Sequence, residues 1–394
     1  MRREANLVLA ARMADIEPFH VMDVQNRAHE LEAKGRRIVH MEIGQPDFAA
    51  PPLVADAAVE AIRTRRLGYT ASIGIPQLRQ AISDYYRERL GAAVPSSRIV
   101  VTAGASGAFL LTLGALVNPG DEVLMPDPCY PCNRHFVRLF EGRPKAIRVD
   151  ETQHYQLTDA DVRSNWSKAT RGVLIASPSN PTGTLMPREE SRAIVESVRR
   201  MGGFVVVDEI YQGLVYGGEA STVLDFADDV FVVNSFSKYF SMTGWRLGWV
   251  VAPESHVREI EKLAQNAFIC PSAPAQYAAL AAFRPETLAV LEQRREEFRR
   301  RRDFMVPALR DLGFRVPLTP QGAFYIYCGC EEFSRDSSAF ALRVLEEAGV
   351  AITPGLDFGS NAPERHVRFA YTRSLEDLKE GVDSIARMLS RTRN

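Results

Sequence analysis

A chain of 394 residues is long enough for two or three domain-sized cores and too long for one small module. Its 46% hydrophobic and 25% charged residues are ordinary for a globular protein and exclude disordered and fibrous classes. With 48 basic against 49 acidic side chains, the net charge of -1 supplies no overall field toward nucleic acid or membrane.

Taken from the N-terminus, Met1-Arg2-Arg3 followed by Leu7-Val8-Leu9-Ala10-Ala11 imitates a signal peptide only weakly. The apolar stretch is short and Arg12 interrupts it, so secretion is rejected. No run reaches the roughly 18 apolar residues of a membrane helix, and the expectation is a soluble, cytoplasmic protein. Residues 13–45 precede the main pattern and are expected to pack with the C-terminal part.

From residue 97 to 253, short apolar runs alternate with helical patterns. Predicted strands are Ile99–Thr102, Glu122–Met125, Gly172–Ala176, Phe204–Asp208 and Val230–Asn234. Near-continuous apolar runs of this kind suit strands covered on both faces of a mostly parallel α/β sheet. Ligands bind outside the carboxyl ends of such strands. Polar residues stand there: Thr102–Ser106, Ser177–Asn180, Asp208-Glu209 and Ser235–Lys238.

After Pro274 the pattern changes to long Ala-, Leu-, Glu- and Arg-rich helices up to about residue 312. A strand over Gly322–Tyr327, a helix near 337–348, a strand over His366–Ala370 and a closing helix from Ser374 complete a smaller α+β domain. The predicted division is 1–45, an N-terminal arm and part of the small domain; 46–285, the large domain; and 286–394, the small C-terminal domain. The run Arg299-Arg300-Arg301-Arg302 beside Glu296 and Glu297 reads as a solvated helix face.

The five cysteines, Cys129, Cys132, Cys270, Cys328 and Cys330, are too few and odd in number for a disulfide framework. Cys129-Tyr130-Pro131-Cys132 reads first as a turn, Cys328-Gly329-Cys330 as part of a strand, and no metal site is expected.

The segment richest in chemistry runs Ser235-Phe236-Ser237-Lys238-Tyr239-Phe240-Ser241-Met242-Thr243-Gly244-Trp245-Arg246. A lysine at a strand end is usually a solvated charge. Here hydroxyls precede it and Arg246 follows, a setting that can lower an amine's pKa and bind a dianionic phosphate. The whole segment resembles the pyridoxal-phosphate attachment motif of the class I/II aminotransferases, fold type I. The resemblance extends from about Ile43 to Arg368, with motifs in the family's order.

That resemblance implies pyridoxal 5'-phosphate as cofactor and Lys238 as the Schiff-base lysine. It places Asp208 against the pyridine nitrogen, where a carboxylate keeps the ring an electron sink. Tyr211 and Asn180 then face the phenolic oxygen, and Tyr130 stacks on the ring. Ala105 and Ser106 become phosphate donors at a helix N-terminus. Ser235 and Arg246 become further phosphate ligands, and Tyr69 reaches the phosphate of a neighbouring subunit, which implies a homodimer. Arg368 would hold the substrate carboxylate, with Arg365 and Arg373 as competitors that strand alternation does not exclude. Gly44 would let the backbone approach substrate.

The expected reaction moves an amino group from an L-amino acid to a 2-oxo acid by a ping-pong mechanism. The alternatives are a C-S lyase or decarboxylase on the same scaffold and, from another class, a non-catalytic pyridoxal-phosphate-binding sensor. Aspartate-specific relatives carry a Lys where Ser106 stands, and Glu17–Met22 is largely apolar, which favours a neutral or aromatic amino acid.

Overall fold

The computed structural model describes residues 8–392 apart from Arg66 and Glu219. Met1–Leu7, the start of the signal-like stretch, lie outside the described residues. Strands are labelled in chain order. They are β1 Val39–His40, β2 Ile99–Thr102, β3 Glu122–Asp127, β4 Arg143–Arg148, β5 Thr170–Ala176 and β6 Phe204–Asp208. There follow β7 Phe231–Ser235, β8 Gly248–Val251, β9 Tyr325–Gly329, β10 Val350–Ala351, β11 Thr353–Pro354 and β12 His366–Ala370.

The apolar runs become a seven-stranded sheet of order β2-β8-β7-β6-β5-β3-β4. Contacts β3–β4, β3–β5, β5–β6 and β6–β7 are parallel, whereas β8 runs antiparallel between β2 and β7. The sheet is therefore mostly parallel, as the sequence predicts. Neighbours on opposite faces, such as Val123 with Leu124 and Val173 with Leu174, are at most 1% exposed, so both faces are covered. The helices Gly104–Leu116, Pro131–Leu139 and Arg188–Arg200 connect these strands.

Two strands of this sheet escape the sequence reading, as do the two-residue strands β1, β10 and β11. β4, Arg-Pro-Lys-Ala-Ile-Arg, pairs with β3 alone at the sheet edge. Charges and a proline suit an edge, and they erase the apolar signal. β8 follows just after the Lys238 segment, where four residues wedge between two other strands.

The C-terminal part builds a three-stranded antiparallel sheet, β11-β12-β9. β1 pairs in parallel with β10, which ties residues preceding the large sheet to this part. The strand predicted over Gly322–Tyr327 is displaced to Tyr325–Gly329. Ala323 has φ 57°, and a left-handed residue cannot stay in a pleated strand. Gly322 instead bridges to Val215.

The helix Pro285–Leu312 carries the arginine run. Arg299 and Arg300 are solvated, but Arg301 corrects the expectation: it is buried and pairs with Asp47 at 2.9 Å and Glu297 at 3.1 Å. A run of four spans more than one turn, so one member must point inward. The cysteines are unpaired and no described His, Cys, Asp and Glu group could hold a metal. Among the described residues no helix is long and apolar enough to cross a membrane.

Candidate active site

A cavity of about 310 Å³ opens at the carboxyl ends of β2, β3, β5, β6 and β7. Side chains leaving the ladder there are free to face a ligand. Tyr325 of β9, Thr353 of β11, Arg368 of β12 and the start of the helix Val21–Ala33 enclose it from the other side.

Lys238 stands three residues beyond β7, and its Nζ donates to the Gly44 carbonyl at 2.7 Å. Burial, reinforced by the positive charges of Arg368 and Arg246, pulls its amine down to about 8, while Asp208 opposes the shift. Asp208 ends β6, accepts the Ile210 N–H at 3.1 Å and is pushed up to about 7 by burial. Gly44 passes so close to Tyr325 that a Cβ there would sit 1.7 Å from the hydroxyl oxygen. Tyr325 in turn shares a 2.8 Å hydrogen bond with the Tyr211 hydroxyl, fixing both rings beside Lys238.

At the other end, Gly104 starts the helix Gly104–Leu116 with φ 74°, and no side chain caps it. A Cβ on Gly104 would lie 2.8 Å from Arg246 Nη2, so glycine lets the guanidinium reach the helix start. Arg246 is held by a bond from Nη1 to the Thr243 carbonyl at 3.1 Å. Ala105, Ser106, Ser235 and Ser237 complete this corner of the cavity. The Ser235 Oγ lies within hydrogen-bond distance of Ser237 Oγ and of the Leu247 carbonyl and accepts the Ser237 N–H. Uncapped N–H groups, hydroxyls and a guanidinium together make a corner suited to an anion.

Arg368 is 6% exposed on the face of β12 opposite the fully buried Val367 and Phe369. Its Nη1 donates to Asn180 Oδ1 at 3.0 Å, and Nη2 donates to the Glu42 carbonyl at 2.5 Å and Thr353 Oγ1 at 3.1 Å. The guanidinium lies over the rings of Tyr325 and Phe358, at 4.2 and 4.8 Å from their centroids. Nε has no partner, and among the described residues no carboxylate pairs with this buried cation. Its competitors are excluded by placement: Arg365 and Arg373 are exposed.

The structure thus gathers Gly44, Ala105, Ser106, Tyr130, Asn180, Asp208, Tyr211, Ser235, Lys238, Arg246 and Arg368 around one cavity. Tyr69 is not among them; it is 84% exposed. Residues the sequence reading did not single out also line it, including Ser237, Tyr325, Thr353, Asp357 and Phe358. Ser237 had a signal, being one residue before Lys238. Asp357 had none, since Pro-Gly-Leu-Asp-Phe-Gly reads as an ordinary turn.

The family model described as aminotransferase class I and II matches residues 36–385. Valine–pyruvate aminotransferase of Mycobacterium tuberculosis is 37% identical over 96% of this chain and 98% of its own length. The (5-formylfuran-3-yl)methyl phosphate transaminase of Methanocaldococcus jannaschii is 35% identical over 98% of this chain and all of its own. The crystal structure of an aminotransferase from Mycobacterium tuberculosis superposes with a TM-score of 0.94 at 37% identity, covering 98% of this chain and 100% of that one. A match spanning both the sheet and the β12 region, at this identity, leaves one assignment: the chain belongs to the class I and II aminotransferases, enzymes that transfer amino groups.

Proposed function

We propose that this enzyme is a pyridoxal-phosphate-dependent aminotransferase that moves an amino group from a neutral or aromatic L-amino acid to a 2-oxo acid in two half-reactions. The observation that carries the reading is a depressed lysine amine beside a buried carboxylate, facing an arginine with no acidic partner, in one cavity. The residues fit the cofactor on two counts. The Gly104–Arg246 corner offers donors to a phosphate, and Asp208 is a buried carboxylate that accepts the Ile210 N–H, with acceptor capacity left for a pyridinium partner. When bound, pyridoxal phosphate supplies an electron sink for charge developing at the substrate Cα.

In this reading Ala105, Ser106, Ser235 and Arg246 hold the phosphate, and Tyr130 covers the ring. Asp208 holds the ring nitrogen protonated. Tyr211 and Asn180 donate to the phenolic oxygen; Asn180 Oδ1 is taken by Arg368, so its NH2 is the donating end. Arg368 binds the substrate carboxylate with its planar fork, and Gly44 leaves room for the substrate beside Tyr325. Lys238 would be the lysine that attaches the cofactor and, once freed, the proton shuttle: its neutral Nζ would take the Cα proton and deliver it to the cofactor carbon that had borne the aldehyde. Alternate binding of amino acid and oxo acid at one site gives ping-pong kinetics.

The substrate preference rests on what surrounds the remaining space. Phe19, Val21, Met22, Phe109, Phe136 and Phe358 line it, and Lys238, Arg246 and Arg368 are the lysines and arginines among the lining residues. All three already have tasks, so among the described lining residues of this chain a distal carboxylate would meet no free cation. Glutamate and 2-oxoglutarate are the proposed pair for the other half-reaction.

Three further features belong to the same proposal. Within 1–45, an N-terminal arm and part of the small domain, the β1 strand belongs with the small C-terminal domain 286–394 beside the large domain 46–285, supported by the β1–β10 pairing. The exposed Tyr69 serves the phosphate of a second subunit in a homodimer. The location is the cytoplasm.

A panel of amino donors tests the function by following loss of the absorbance of the lysine-bound cofactor without added oxo acid. Conversion by leucine or phenylalanine is expected to exceed that by aspartate. Conversion by aspartate alone would sink the preference, and release of ammonia with pyruvate would replace transfer by elimination.

A further inference from the structure

The helix Val21–Ala33 begins without a cap of its own: the side chain of His20, its first flanking residue, makes no capping bond. The first N–H groups of a helix need acceptors and favour negative charge. Here they find it 337 positions away. Asp357 Oδ1 accepts the His20 N–H at 2.7 Å, and Oδ2 accepts the Val21 N–H at 3.0 Å.

The place where this happens is the wall of the cavity. Phe19, Val21 and Met22 flank the two captured amides and face the substrate space. Asp357 is 3% exposed, and its own carbonyl accepts Arg134 Nη2 at 2.9 Å. Arg134 lies on the helix that starts just after Tyr130. Phe358, the next residue, packs over the Arg368 guanidinium. One residue therefore meets the N-terminal segment through its carboxylate and the Tyr130 helix through its backbone carbonyl, and it is followed directly by the ring that packs on Arg368. The stretch before that N-terminal segment, residues 8–15, is exposed, with a single turn over Ala11–Asp15 tied to the Tyr130 helix region by Arg12 with Glu141 and by Arg138 to the Asp15 carbonyl.

We propose that Asp357 is a positioning residue for substrate selection: it fixes the apolar roof made by Phe19, Val21 and Met22 over the amino acid's side chain. The proposal rests on the transaminase reading above. Binding of a long apolar side chain requires the roof in place, because only a closed wall removes that surface from water. A methyl side chain does not extend to the roof and is indifferent to it. Holding the roof through backbone amides, rather than through the roof side chains, leaves those side chains to face the substrate.

The test compares holoenzyme variants on phenylalanine and alanine and follows amide hydrogen exchange of residues 19–24. Asp357→Ala is expected to lower kcat/KM for phenylalanine about tenfold, mainly through KM, the scale of one apolar pocket contact. Activity on alanine should stay within about twofold by the same reasoning, and exchange at His20 and Val21 should accelerate. Asp357→Asn keeps the shape and one acceptor and should fall between the two; its retained cofactor absorbance reports folding. Equal losses on both amino acids, or unchanged exchange, overturn the proposal. A wild-type enzyme that converts no amino acid would overturn the transaminase reading instead, and the exchange arm would still decide the latch.

Discussion

The two walls of the cavity are built on different terms. The wall at the carboxyl ends of the large sheet draws on short contiguous segments, each following its own strand: Gly104–Ser106, Asp208–Tyr211 and Ser235–Lys238. The opposite wall is assembled from Phe19–Met22, Glu42–Gly44, Tyr325, Asp357 and Arg368, which the chain brings together from its two ends. The first wall holds groups whose roles follow from charge and proton affinity. The second mixes one cation with apolar surface, and in the proposed reading it selects by shape. If that reading holds, reaction type and substrate choice are separable, and variants on each wall test it.

The largest expected effect falls on the sheet wall. Lys238→Ala should lower turnover on every amino acid by on the order of 10³-fold or more, the upper range for losing a positioned proton carrier that is also the nucleophile. A steady-state assay with any accepted donor checks this; a variant retaining turnover removes Lys238 from its role.

On the opposite wall, Arg368→Lys should keep the charge and lose the fork. The expected result is a rise in KM of about ten- to a hundredfold for all amino acids, the scale of a charge-assisted hydrogen bond, with a smaller change in kcat. A change confined to kcat would detach Arg368 from the carboxylate.

The smallest effect tests whether the walls communicate. Burial and the charges of Arg368 and Arg246 depress Lys238 to about 8, so its free base prevails above that pH and its protonated form below. Capture of pyridoxal phosphate by the apoenzyme should therefore rise with pH and level off above about 8. An ordinary lysine would go on rising toward about 10.4. Arg368→Gln removes a positive charge that favours the neutral amine, so the midpoint should move upward. An unmoved midpoint would show that Arg368 does not act on Lys238.

The same contrast explains what could be read in advance. The apolar runs of β5, β6 and β7 and the polar residues ending them were visible because strand and site are adjacent in sequence. Lys238, Asp208 and Asn180 were placed by that adjacency together with the family's motif order. Arg301 was misread as solvated because a charge run does not tell which member turns toward Asp47. β4 was missed because an edge strand carries charges in place of an apolar run.

By itself the sequence determined the mostly parallel α/β sheet, the lysine at a strand end and the residue types gathered around it. These depend on local pattern: hydrophobic runs covered on both faces and polar residues where the ladder stops. Only the tertiary structure decided that Arg368 rather than Arg365 or Arg373 faces the cavity. It alone showed that Gly44 passes against Tyr325, and that Asp357 holds the start of a helix 337 positions away. Such contacts join segments with no common local pattern, and packing of the whole chain sets which side chain meets which.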